Sequence, residues 1–162
     1  MDRPILNIPT DIEQYFATDV FDKIDAINGN EQANWGLMTS HHMLEHLALV
    51  LTFPLGRINL PLFTPEEKLE KNREFLHSNY GMMQGFKFPL LPKDKVPELS
   101  TKNIAEAKLL LKETIEAFLS KINEEDFDTA LHPIFGQINK GEWLIFQYKH
   151  FAHHFSQFSI AY

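Results

Sequence analysis

The sequence predicts an all-α fold in one domain over residues 1–162. Three observations carry that prediction. Apolar residues recur at three- and four-residue steps through several long stretches, the spacing of one helix face. Helix-start residues stand ahead of those stretches: Thr10, Thr39, Ser100 or Thr101, and Asn139. Six prolines, Pro54, Pro61, Pro65, Pro89, Pro92 and Pro97, gather in one long connection instead of interrupting the periodic segments.

Taken in order, the first helix is expected from Thr10 through Ile12, Tyr15, Phe16, Val20, Phe21, Ile24 and Ile27, with Asn28-Gly29-Asn30 ending it. A polar link reaches Trp35-Gly36; Trp35 is read as a core plug at the next helix entry, with substrate stacking as the alternative. The second helix starts near Thr39. Met43, Leu47, Val50 and Leu51 define its buried face, and Pro54 stops it. The excursion from 54 to 99 contains a short amphipathic helix from Thr64-Pro65-Glu66-Glu67 to about His77. Its glycine-punctuated apolar stretch, Tyr80 to Pro92, is read either as a lid over a site or as cover for an exposed side or dimer seam. The third helix begins at Ser100 or Thr101 and carries Ile104, Leu109, Leu111, Ile115, Phe118, Leu119 and Ile122. A charged connection, Asn123 to Asp128, and His132-Pro133-Ile134-Phe135-Gly136 lead to the last helix. There Asn139 and Glu142 form a capping-box pattern.

The last helix holds the chemistry. At about 100° per residue, His150 and His154 lie roughly 40° apart, one turn above the other. Two imidazoles so placed can converge on one metal ion. His153 sits at the edge of the same arc, and Gln147 lies one turn below His150. On the second helix His46 lies beside the buried face, where an imidazole needs a partner. His42, one turn earlier, is read as a supporting group or a fourth ligand. Glu45 points roughly 100° away from His46 and is a poor ligand.

Composition narrows the function. At 162 residues the chain can bury roughly 70% of its unfolded surface, so no metal is needed merely to fold it. With no cysteine there are no disulfides, thiolate ligands or cysteine nucleophile. A net charge of −7 argues against nucleic acid as partner. No signal-peptide core or membrane-length apolar run is seen, so a cytoplasmic protein without a membrane partner is expected.

Four segments carry a family resemblance: Met43-Leu44-Glu45-His46, His132-Pro133-Ile134-Phe135-Gly136, Glu142-Trp143, and Tyr148-Lys149-His150-Phe151-Ala152-His153-His154-Phe155-Ser156-Gln157-Phe158. Together they resemble the DinB/YfiT-like superfamily of metalloenzymes, in a branch with an "HPxFG…EW…YKHxxHHxxQF" ending. The resemblance implies a DinB-like four-helix bundle in up-down-down-up order, with a long crossover between helices 2 and 3. It implies a divalent metal held by His46, His150 and His154, and it makes His132 a candidate near the mouth of the site.

Three imidazoles leave coordination positions open on Zn²⁺, Ni²⁺, Fe²⁺ or Mn²⁺, and imidazole does not choose among them. Hydrolysis and thiol-dependent transfer on a small-molecule substrate both follow. The alternative from another class is a non-catalytic bundle without metal that mediates homodimerisation or partner binding.

Overall fold

The computed structural model describes residues 3–86 and 94–162. Helix α1 is built of three continuous segments: Ile12–Gln14, a π-helical turn Tyr15–Asp19, and Val20–Asp25. Asp11 caps it, its Oδ1 accepting the Gln14 N–H at 2.9 Å, where Thr10 was expected. The π turn carries Tyr15 and Phe16, which are buried together with Val20 and Ile24. Helix α2 is Ser40–Leu51, capped by Thr39 as predicted, although the N3 partner in its capping box is His42. Pro54 lies in the 3-10 turn Phe53–Leu55 that follows.

Helix α3 is Glu66–Leu76. The Thr64 hydroxyl does not cap it and instead donates to the Ile134 carbonyl at 2.7 Å, tying the start of α3 to a distant turn. Helix α4, Ile104–Ile122, is capped by Asn103, two or three residues after the expected Thr101 or Ser100. Ser100 and Thr101 are engaged elsewhere: the Glu45 carboxylate accepts both of their backbone N–H groups, at 2.6 and 2.9 Å. Helix α5, Lys140–Gln157, begins with the predicted Asn139–Glu142 capping box.

Between α4 and α5 the expectation of an all-α chain fails. Strands β1, Thr129–His132, and β2, Gly136–Asn139, pair antiparallel, with His132 opposite Gly136 and Thr129 opposite Asn139. Gly136 at φ +75° supplies the left-handed residue that a three-residue hairpin loop needs. The DinB-like up-down-down-up four-helix bundle is therefore corrected: among the described residues the fold is mixed, five helices and a two-stranded sheet. Four-residue strands give too short an alternation to compete with the helical signals on either side.

Helix α5 is the centre of the packing. Thirteen of its eighteen residues are buried, so it is enclosed almost all round, as a central helix is. Phe151 meets the edge of the Phe16 ring at 5.1 Å, and Phe16 in turn meets Phe118 at 6.3 Å, which joins α1, α4 and α5. Burying a helix this completely sets a condition on its polar side chains. Glu142, Gln147, Lys149, His150, His154 and Gln157 are all enclosed, and most of them are answered from another part of the chain. Lys149 shows how: its Nζ donates to the carbonyls of Phe75 at 2.5 Å and Ser78 at 2.8 Å, terminating α3, and lies 4.0 Å above the Phe75 ring. Burial lowers its pKa to about 8.

Candidate metal centre

Packing of α2 against α5 brings His46 to the pair that helical spacing had aligned. His46 Nε2 lies 3.0 Å from His150 Nε2. Ligand nitrogens of His46, His150 and His154 all fall within 4.8 Å of one another. The three rings are mutually edge-on, with centroids 4.7 to 4.9 Å apart. His150 and His154 are buried, and His46 keeps partial exposure.

Electrostatics hold all three neutral. Burial lowers the His46 pKa to about 4, with repulsion from His153 adding to it. Burial also carries His150 and His154 well below the usual histidine range, reinforced by the neighbouring imidazoles. A neutral imidazole is the form that offers a lone pair to a metal.

Hydrogen bonding decides which nitrogen of His154 offers it. Gln157 donates from Nε2 to the Trp35 carbonyl at 2.9 Å, which leaves its Oε1 as the acceptor facing His154 Nδ1 at 2.8 Å. Nδ1 therefore carries the proton, and the Nε2 lone pair is free for an ion. A histidine fixed through its other ring nitrogen is how metal-ligating histidines are held. The donor set also fits: three nitrogen ligands with one side partly open suit a divalent transition metal with room for a further ligand. On α5 one turn below, Gln147 donates to the Val50 carbonyl at 3.3 Å. Gln147 Oε1 and His150 Nδ1 are buried without a hydrogen-bond partner among the described residues.

The other candidates are placed differently. His42 is taken up by capping: its Nδ1 accepts the Thr39 N–H at 3.2 Å and lies 2.7 Å from Thr39 Oγ1, so it is no fourth ligand. Glu45 faces Ser100 and Thr101, consistent with its poor angle. Burial opposes its ionisation, but those hydrogen bonds lower its pKa overall. His132 is fully buried in the hairpin and not at a mouth. Its Nδ1 accepts the Ile134 N–H at 3.0 Å, and Phe146, Phe135 and Trp143 surround the ring. Burial lowers its pKa to about 3.

His153 lies at the edge of the cluster, its ring 4.9 Å from His154 and 5.7 Å from Trp35. It hydrogen-bonds the main chain of Met82, so the 80–86 segment reaches the rim of the site. The remainder of the expected lid, residues 87–92, lies outside the described residues. Trp35 is half-buried at this rim and is not the core plug expected.

Gln157 stands in the family-resembling segment, but its role toward His154 is not legible there, although its position three residues after His154 puts it on the same face. Glu142, seen only as a cap, is also bonded to Arg73 and His77 of α3 and the residue following it. A surface groove of about 790 Å³ lies between α3 and the hairpin, lined by Leu69, Arg73, Leu131 and Phe135 among others. No histidine of the cluster lines it, and the metal-site geometry is the stronger guide to chemistry.

A family model described as "Protein of unknown function (DUF1569)" matches residues 91–160. That span holds His150 and His154 but not His46. No curated protein and no solved structure matches the chain. No helix among the described residues is long and apolar enough to cross a membrane.

Proposed function

We propose that this protein binds one divalent transition-metal ion through His46, His150 and His154 and uses an open coordination position to act on a small molecule. One observation carries the reading: three neutral imidazoles from two helices converge within 4.8 Å, and Gln157 turns the lone pair of one of them inward. Three protein ligands with a partly exposed side suit catalysis better than stapling, since structural zinc sites are usually closed by four. The resemblance to DinB/YfiT-like metalloenzymes in the His46 and His150–His154 segments supports the same ligand set. When bound, such an ion supplies Lewis acidity that activates water for hydrolysis or a thiol for transfer.

The chain's own residues do the rest. His154 is oriented by Gln157, and His150 is enclosed beneath Phe146, whose ring stacks on it at 5.7 Å. His153 flanks the open side without joining the ligands. Metal analysis of protein purified without a histidine tag tests the reading. The wild type should carry about one equivalent, and His150→Ala or His154→Ala should each carry less than about a tenth of that, with helical circular dichroism retained. Stoichiometric metal in both variants would overturn the three-histidine site.

A further inference from the structure

The exposure of the residues around the cluster is asymmetric. His150 and His154 are buried, whereas His46, His153 and Trp35 are each only partly so. The cluster is therefore least enclosed at His46 and along the edge where His153 lies against His154. Trp35 stands on that edge, with its ring centroid 5.7 Å from His153 and the two planes inclined at 57°.

Hydrogen bonds from the loop to the end of α5 hold it there. Asn34 donates its N–H to the Gln157 carbonyl at 2.7 Å, and its side-chain amide donates to the Ser156 carbonyl at 3.1 Å and to Ser159 Oγ at 2.9 Å. The Trp35 carbonyl accepts from Gln157, the residue that orients His154. Gly36 follows at φ +78°, and a Cβ there would come within 2.8 Å of Gln157 Nε2. The wall and the metal ligand are thus positioned by one amide.

Carboxylates do not intrude on this side in the contacts of the described residues: Glu45, the acid nearest His46 in sequence, is turned to Ser100 and Thr101. This side thus pairs an aromatic ring with the three-histidine cluster. Resting on the metal-site reading above, we infer that Trp35 is a substrate-contacting, specificity-determining residue. It would select small molecules that join an anionic metal-binding head to a flat apolar body, the head on the ion and the body on the indole.

The test uses zinc-loaded wild type, Trp35→Ala and Trp35→Phe, titrated calorimetrically with acetohydroxamate and benzohydroxamate. These probes share a metal-binding head and differ by the aromatic ring. The wild type should prefer benzohydroxamate by about tenfold, the scale of one aromatic stacking contact. The preference should shrink to about twofold in Trp35→Ala and fall between in Trp35→Phe, because a smaller ring stacks less. Acetohydroxamate affinity and zinc stoichiometry should be the same in all three, which a merely structural Trp35 would not allow. An undiminished preference in zinc-loaded Trp35→Ala overturns the assignment while leaving the metal site standing. Should Trp35→Ala fail to fold, an unchanged preference in Trp35→Phe overturns it equally. A wild type that takes up no zinc overturns the metal reading, and this inference with it.

Discussion

Helix α5 carries two polar centres, one near each end, and they are built on opposite plans. At its start, Glu142 is 2% exposed and every lone-pair direction of its carboxylate is taken. Oε1 accepts from Arg73 Nη2 at 2.9 Å and from the Asn139 N–H at 3.2 Å, and Oε2 accepts from Arg73 Nε at 3.0 Å and His77 Nε2 at 3.1 Å. Burial would raise its pKa, but Arg73, Asn139 and His77 together lower it. At the other end, three imidazoles face one another with no opposite charge among them, and one side is partly open. A closed, satisfied centre anchors α3 to α5. A centre of three close imidazoles, which repel one another when protonated, could hold a metal ion.

Acid separates the two centres by the largest margin. Histidines whose folded pKa is depressed leave stability flat above the unfolded value near 6.5 and lose it as pH falls below, because only the unfolded chain takes up the protons. The window for His132 runs from 6.5 down to about 3, and that for His46 down to about 4. His132, in the hairpin and outside both centres, should by itself remove about 3 kcal/mol by pH 4.5, at about 1.4 kcal/mol per pH unit, and the cluster adds its own loss in the same direction. Glu142 is also depressed, but as an acid it keeps its contribution until the pH falls below the usual carboxylate range. Urea unfolding of metal-free protein at pH 7.5, 6 and 5 should show the histidine loss first. Stability unchanged between pH 7 and 5 would contradict the neutral, buried imidazoles.

Breaking the closed centre comes next in size. Arg73→Ala leaves a buried carboxylate short of its main partner. Because Arg73 is itself about half exposed, its resolvation offsets part of the cost, leaving about 2 kcal/mol of destabilisation. Zinc affinity should not change. Calorimetric titration of this variant that showed a large loss of zinc binding would mean that the two centres are coupled through α5.

The smallest expected effect sharpens the open centre. Gln157→Leu removes the acceptor that sets the His154 tautomer, so zinc affinity should fall by at least about tenfold, or 1.4 kcal/mol, with little change in secondary structure. Affinity equal to wild type would show that His154 is held without Gln157.

Local spacing was enough to read several parts of this protein from the sequence. Thr39 and Asn139 declared the starts of α2 and α5, Pro54 marked the end of α2, and a three- to four-residue period put His150 and His154 on one face. These properties involve residues within four positions of one another, and the backbone repeat alone settles them. His46 meets His150 across 104 residues of sequence, and Arg73 meets Glu142 across 69. Helical period cannot express such pairings; family resemblance proposed the first and nothing proposed the second. The β-hairpin escaped notice because four-residue strands carry little alternation and draw their order from pairing and from packing on α5. Gln157, Trp35 and the open side of the cluster were decided by tertiary structure alone, since a buried amide reveals what it orients only when both of its partners are in place.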